Sequence, residues 1–368
     1  MDGKPIERLT IKGFKSIVNL ESFPLRNLNI LIGSNGSGKS NFISYFRMLG
    51  ELVNGRLQHW TAKNGSADRI VSFGVKETSS VESAVEFAPG TYKFNLETTV
   101  DGGFSFVREE LVGKKTRLKH EVLFGLGHKE SLLKTSLKKK KDGVIARPFY
   151  DAINGWSIFH FHDTSETALV KRYASLQDNE RLRPDASNLA AFLYRLSDEA
   201  PDTYGQICET VRLAIPFFDD FVLQPRELDT GECQINLMWK QSGSDYVLWP
   251  SQLSDGSVRF ICLVTALLQP NPPSTIIIDE PELGLHPYAV TLLGALLRSA
   301  STRMQVIVST QSVDLVNEFS IDDLVVVERV NGATTFRREN QSDFEIWLED
   351  YTTGELWEKN VLGGRPSR

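Results

Sequence analysis

Gly33-Ser34-Asn35-Gly36-Ser37-Gly38-Lys39-Ser40 gathers residue types that suit one task, the cradling of phosphate. Its glycines leave backbone N–H groups unobstructed, and a following helix would add the positive potential of its N-terminus. The run fits G-x-x-x-x-G-K-S and lies between a predicted strand and a predicted helix, the setting the pattern requires. There Lys39 reaches the β- and γ-phosphates and Ser40 ligates Mg²⁺; Asn41 belongs with the loop as a nucleotide contact. ATP and Mg²⁺ are thus the expected ligands. A second run, Ile276-Ile277-Ile278-Asp279-Glu280-Pro281-Glu282, ends an apolar strand on an acidic pair. Open α/β sheets bind ligands at the carboxyl ends of their strands, so both runs point at one crevice. Asp279 can hold Mg²⁺ through a water, and Glu280 can polarise the attacking water as general base.

The elements that must position these groups follow from apolar spacing. Ile6–Phe14 and Leu28–Ile32 read as strands, the second ending at the glycine-rich loop. Phe42, Ile43, Phe46 and Leu49 then have helical spacing. Between about Ile70 and Val107, short β-like runs are broken by Gly, Ser and Pro. Trp156–Phe161 reads as a strand. Leu189, Phe192, Leu193 and Leu196 mark a helix capped by Asp185 or Ser187. Thr275–Ile278 and Met304–Val308 are short β-branched strands, with a helix carrying Leu292, Leu293, Leu296 and Leu297 between them. Asn331-Gly332 suits the type I′ turn of a hairpin joining Leu324–Val330 to Ala333–Arg338.

Composition narrows the class. The chain has 368 residues, 41 % of them hydrophobic, with a formal charge of −6. That excludes a disordered, collagen-like or uniformly basic protein, and no apolar run is long enough to span a membrane. The N-terminus has no apolar signal region, and Cys208, Cys233 and Cys262 lack zinc-ligand spacing, so a reduced, cytoplasmic setting is expected. Charge is uneven: Val112–Lys141 carries ten basic residues and two acidic ones. It reads either as a solvated insertion or as a phosphate-backbone contact on DNA through the Lys114–Lys141 region, with Lys138–Lys141 as a flexible loop.

A third run, Leu253-Ser254-Asp255-Gly256-Ser257, stands 25 residues before the acidic pair and opens a helix. It resembles the LSGGQ signature of ABC-type ATPases, with Asp255 replacing the first glycine of the pair. Leu283-Gly284-Leu285-His286-Pro287 resembles their D-loop, and Ile11–Ser16 resembles the opening strand of RecF- and SMC-like members. As a whole the chain resembles the RecF/OLD-like AAA ATPases of bacteria, many of which serve anti-phage defence. The resemblance implies an α/β fold: an ABC-type P-loop NTPase with a mixed-sheet core, an antiparallel β subdomain, a helical signature lobe and a basic insertion. It implies an ATPase domain over 1–345, with the insertion at about 110–150, the helical lobe at about 163–265 and a tail over 346–368. It also implies a head-to-tail homodimer, or higher homo-oligomer, sandwiching ATP. Ser254, Asp255 and Gly256 of one chain would meet the nucleotide held by Lys39 of the other. ATP hydrolysis would control a DNA-directed or effector activity, with an effector protein, such as a nuclease, encoded nearby; a RecF-like repair ATPase is the alternative.

This sequence departs from the pattern in places. Transport-type relatives carry a switch histidine where Gln311 stands; glutamine can orient a water but cannot carry its proton. At the Q-loop junction stand His160, His162, Asp163 and Thr164. Asp163 or Thr164 caps the next helix, or His162 or Asp163 replaces the glutamine; Gln177 is a further candidate. A separate metal centre there lacks its other ligands. Arg181 or Arg183 could reach a phosphate across a dimer, though a solvated turn is the simpler reading. Trp357 is expected to dock on the core or a partner, and Gly363–Arg368 to be mobile. A transporter subunit is disfavoured by the opening strand, by Gln311 and by the 215 residues separating Lys39 from Ser254. A scaffold that only binds ATP would not need Glu280.

Overall fold

The computed structural model describes residues 5–113, 121–161 and 163–364. At its centre is a six-stranded sheet in the order β18 (Ala333–Arg337), β17 (Leu324–Val330), β3 (Leu28–Ile32), β16 (Gln305–Thr310), β15 (Thr275–Asp279), β8 (Ser157–Phe159). All neighbours are parallel except the β17–β18 hairpin. That hairpin turns at Asn331 and Gly332 with φ of 50° and 81°, as a type I′ turn demands.

Side chains alternate across a strand, and here each face has its own core. Ile30, Ile32, Ile276, Ile278, Val306 and Val308 face one; Leu31, Ile277, Ile307 and Val325 face the other. All are at most 1 % exposed. Burial on both faces explains why these strands are continuously apolar.

The first core is built by α5 (Leu189–Glu199), α6 (Pro201–Ala214), α7 (Asp255–Leu268), α8 (Pro287–Ser301), α9 (Val313–Val316) and α11 (Thr353–Glu358), with α10 (Glu345–Leu348) alongside. The second is covered by α1 (Lys39–Val53), α2 (Leu57–Lys63), α3 (Leu133–Ser136), α4 (Asp142–Asn154) and an antiparallel sheet. That sheet runs β2 (Ile17–Pro24), β1 (Ile6–Phe14), β4 (Ser80–Phe87), β5 (Gly90–Thr98), β6 (Phe104–Gly113), β7 (Glu121–Leu123). Buried Gln305 joins the two sheets: its amide accepts from Ile6 N at 3.1 Å and donates to Ile6 O at 2.9 Å.

The helical lobe over 163–265 also carries strands. It contains two three-stranded antiparallel sheets: β10 (Phe218–Val222), β13 (Met238–Gln241), β14 (Val247–Leu248), and β11 (Arg226–Glu227), β12 (Cys233–Ile235), β9 (Ala174–Ser175). Neither Asp185 nor Ser187 caps α5. Asn188 holds that position, and its side chain instead ties the preceding loop through Asp178 O, Arg181 O and Arg183 N. Nor does Asp163 or Thr164 start a helix: the Asp163 carboxylate accepts from Ser165 N and Oγ in a turn, and the next helical turn begins at Leu169. Lys138–Lys141 forms a short hydrogen-bonded turn between α3 and α4, Lys139 N donating to Ser136 O at 2.9 Å. Trp357 is buried, and Gly364 is docked on the glycine-rich loop through a 2.8 Å bond from Ser34 N, so the tail to Gly364 is fixed. Lys114, Lys115, Arg117, Lys119 and His162 lie outside the described residues, as do residues 365–368.

The base of the insertion is fastened by Glu109, whose side chain is fully buried. It accepts from Tyr92 Oη (2.7 Å), Ser131 Oγ (2.5 Å) and Leu132 N (3.0 Å), and pairs with His128 Nε2 (2.9 Å). Replacing it strands several donors, each costing about 1–3 kcal/mol. Glu109→Ala is therefore expected to destabilise the chain by about 3 kcal/mol. Urea unfolding monitored by tryptophan fluorescence would test this; a midpoint within error of wild type would contradict it.

Candidate nucleotide site

The glycine-rich loop joins β3 to α1, and α1 begins at Lys39. Gly38 has φ of 114°, and an added Cβ would lie 2.0 Å from Thr334 Oγ1, so only glycine fits there. Thr334 braces the loop from β18: its hydroxyl donates to Ser37 O at 2.8 Å and shares a 2.7 Å bond with Ser16 Oγ. Asn41 Nδ2 donates to Ser16 Oγ at 2.7 Å, placing Asn41 in this brace. Asn35, Gly36 and Ser40 face solvent, where a phosphate would arrive.

Lys39 is buried and folded into the loop, with Nζ donating to Gly33 O at 2.6 Å and Ser34 O at 3.2 Å. Burial lowers its pKa; Glu280, Asp279 and Glu282 push it back up. Those carboxylates stand at and just beyond the end of β15, and the residues ending and following β16 grip each of them. Ser309 Oγ donates to Asp279 Oδ1, Thr310 Oγ1 to Glu282 Oε1 at 2.5 Å, and Gln311 Nε2 to Glu280 Oε1. Gln311 N also donates to Glu282 Oε1 at 3.2 Å. Glu280 itself has φ of 44°, a left-handed conformation costing about 1–3 kcal/mol in a non-glycine residue. Glu280 N is held to Ser309 O at 2.9 Å, which helps maintain it.

Ser254 caps α7, accepting from Ser257 N at 3.1 Å. Asp255 pairs with Lys171 at 3.0 Å. At Gly256 an added Cβ would come within 2.2 Å of Gly284 O, so the signature run and the D-loop-like turn touch backbone to backbone. Arg259, one turn into α7, ties the helix to Phe161 O through Nε at 2.8 Å and to the D-loop-like turn through a terminal nitrogen on Leu283 O.

The structure thus brings Lys39, Asp279, Glu280 and Gln311 together and places Ser254, Asp255 and Gly256 on a separate, buttressed helix start. Gln177 and Asp163 are exposed, and Arg183 is paired with Asp178. Sequence reasoning gave no role to Thr334, Ser309, Thr310, Glu282 or Arg259. Only Arg259 left a local signal, as one cation in an otherwise apolar helix. Glycines held open by bracing, a lysine inside the loop and solvent-facing Ser40 fit a nucleotide's phosphates, and Asp279 with Ser40 offers the oxygen ligands Mg²⁺ prefers.

A phosphate loop, an acidic pair beyond the adjoining strands and a signature-like helix on a mixed sheet define an ABC-type P-loop ATPase fold of the SMC-head kind. The family model described as "AAA domain, putative AbiEii toxin, Type IV TA system" matches residues 28–317, and the chain belongs to that family. The crystal structure of an Smc head bound to the C-winged helix domain of ScpA is similar over 94 % of this chain and 99 % of that one, with 17 % identity and a TM-score of 0.61. An Smc head with an extended coiled coil, bound to the C-terminal domain of ScpA derived from Pyrococcus furiosus, is similar over the same shares of the two chains, with 16 % identity and a TM-score of 0.57. None of the curated proteins matches. Among the described residues no helix is long and apolar enough to cross a membrane.

Glu282 yields a pH prediction. Burial, with Glu280 adding, raises its pKa against the hydrogen bonds from Thr310 and Gln311. The folded chain therefore keeps this proton to higher pH than the unfolded chain. Its contribution is fully present below the unfolded carboxyl's pKa and is lost as pH rises through the folded one. Glu282→Gln does not titrate, so its Tm relative to wild type should be higher at about pH 8 than at about pH 5. An equal difference at both pH values would count against the assignment.

Proposed function

We propose that this protein is an ATP-binding and ATP-hydrolysing switch that dimerises around ATP and controls a DNA-directed or effector activity in bacterial anti-phage defence. The observation that carries the reading is the convergence of Lys39, inside the phosphate loop, with Asp279 and Glu280, gripped by Ser309 and Gln311. A chain that only stored nucleotide would not need a strained carboxylate held by a side-chain amide.

In this reading the loop N–H groups and Lys39 bind the phosphates, and Ser40 and Asp279 hold Mg²⁺. Bound Mg²⁺ supplies Lewis-acid polarisation of phosphate oxygens. Glu280 accepts a proton from the attacking water, and Gln311 fixes the rotamer that lets it do so. Ser254 and Gly256 complete the site of a second copy, so a single chain hydrolyses slowly. A homodimer, or higher homo-oligomer, and a cytoplasmic setting follow from the same reading. A separate effector protein is proposed because the assigned carboxylates serve the nucleotide site. The similar Smc heads carry a bound protein partner, and the family description names a Type IV TA system; both agree with this arrangement.

Lys39→Ala is expected to weaken ATP binding by about 100-fold, measured with a fluorescent nucleotide. Wild-type affinity would remove the site assignment. Glu280→Gln should bind ATP, slow hydrolysis by about 10²–10⁴-fold, and shift to the dimer mass in light scattering with ATP and Mg²⁺. A Glu280→Gln protein that hydrolyses ATP at the wild-type rate would exclude Glu280 as the base.

A further inference from the structure

A cleft of about 1320 Å³ opens at the other end of the central strands from the nucleotide site. Its floor includes Gly155 and Ser157 at the start of β8 and the connection Gln269–Ser274 ahead of β15, whereas the phosphate loop and the acidic pair follow strand carboxyl ends. One wall is α4 with the turn before it, bringing Lys138, Lys139, Lys140 and Arg147; the other brings Arg181 and Arg195. Against these six cations the lining holds Asp151 and Glu180. Lys139 pairs with Asp142 at 3.7 Å and Arg195 with Glu199 at 3.5 Å. The first is a solvent-screened pair of the weak kind, and the second is long and made by a partly buried guanidinium.

Arg195 shows how the cleft is prepared. Its guanidinium lies over the Phe192 ring at 5.3 Å, so stacking aids in holding it. Its Nε is buried, lies 3.5 Å from Glu199 Oε2 and makes no hydrogen bond. That contact is longer than a hydrogen bond, so a phosphate oxygen in the cleft would compete with Glu199 for this N–H. The cleft is larger than the roughly 300–1,000 Å³ typical of small-molecule pockets, and its cations are spread over both walls. The three consecutive exposed lysines extend the positive surface at one wall. A linear polyanion uses such a distribution fully; a compact anion would reach only part of it. The aromatic ring at the floor, Phe192, is itself buried beneath Arg195, so the site offers phosphate contacts rather than a stacking platform for bases.

We propose that this cleft binds the phosphodiester backbone of a single nucleic-acid strand, without reading its sequence. It goes beyond the nucleotide site and needs none of its residues.

The test is fluorescence anisotropy of a labelled single strand of about 16 nucleotides, titrated with the full chain over a range of salt concentrations without ATP. Wild type should bind with log K falling linearly against log salt. Replacing Arg147 and Arg181 together by Ala should make that slope shallower by about 1.4, at about 0.7 per phosphate contact on a single strand. Both side chains are exposed, and the double Lys replacement should restore the slope. ATP binding by the Ala variant, and strand binding by Lys39→Ala, should match wild type; failure of the ATP reading alone would leave strand binding intact. The proposal is overturned if the strand does not bind, or if the slope is unchanged in the Ala variant. It is equally overturned if inorganic triphosphate displaces the strand at equal phosphate concentration, or if a duplex of the same length binds as tightly.

Discussion

Three carboxylates crowd one buried ammonium, and the site depends on how that crowd is held. Asp279, Glu280 and Glu282 lie within four residues of chain, and all three act electrostatically on Lys39. Left to themselves, like charges so close would disperse or protonate. Ser309 and Thr310 at the end of β16 and Gln311 directly after it each donate a side-chain hydrogen bond to a different one of them. The parallel register that sets Asp279 opposite Ser309 makes this clamp possible. Its cost is visible in the positive φ of Glu280 and in the unpartnered buried Oε2 of Glu282. Polar strain of this kind persists where the surrounding structure over-determines it.

That over-determination comes from the sheet. β3, β15 and β16 send alternate residues into two different cores, so no strand can slip by one residue without exchanging both sets. The phosphate loop inherits its position from β3 and the clamp from β15 and β16. Thr334 on β18 then braces the loop from the hairpin side, and Gly364 closes on Ser34 from the tail.

The parts legible in the sequence were those encoded within a few residues. Strands β1 and β3, helix α1 and the Asn331-Gly332 turn are written in local periodicity and turn chemistry, and the loop and acidic pair in short motifs. The contacts that hold the site are not local. Ser16 meets Thr334 across 318 positions and Gln305 meets Ile6 across 299, and no window of sequence records either. Helix caps failed for a related reason: Asp163 and Asp185 have the right side chains, but each spends its carboxylate on its own loop. The expected mobility fails at Gly363 and Gly364 because glycines suggest freedom; both instead adopt φ of 80° and 85° to pack against the loop and β17.

The same rigidity bears on how far the two ends of the molecule can be independent. Helix α7 begins at the signature run and ends at Leu268, one residue before Gln269 in the wall of the basic cleft. Strand β15 likewise starts beside Ser274, in the cleft, and ends at Asp279. Along α7 the side chains of Val258, Phe260, Ile261, Leu263, Val264 and Leu267 are at most 1 % exposed. Cores packed to crystal-like density yield little, so a displacement of Gln269 must move the helix as a rod or unpack those side chains. Moving the rod would carry Gly256 against Gly284 and pull Arg259 from Phe161 O and Leu283 O. The D-loop-like turn could not then stay where it is. In the proposed reading, a helix that starts at the signature contact and ends beside the strand-binding cleft, with no slack between, is a physical reason for occupancy at either end to be felt at the other.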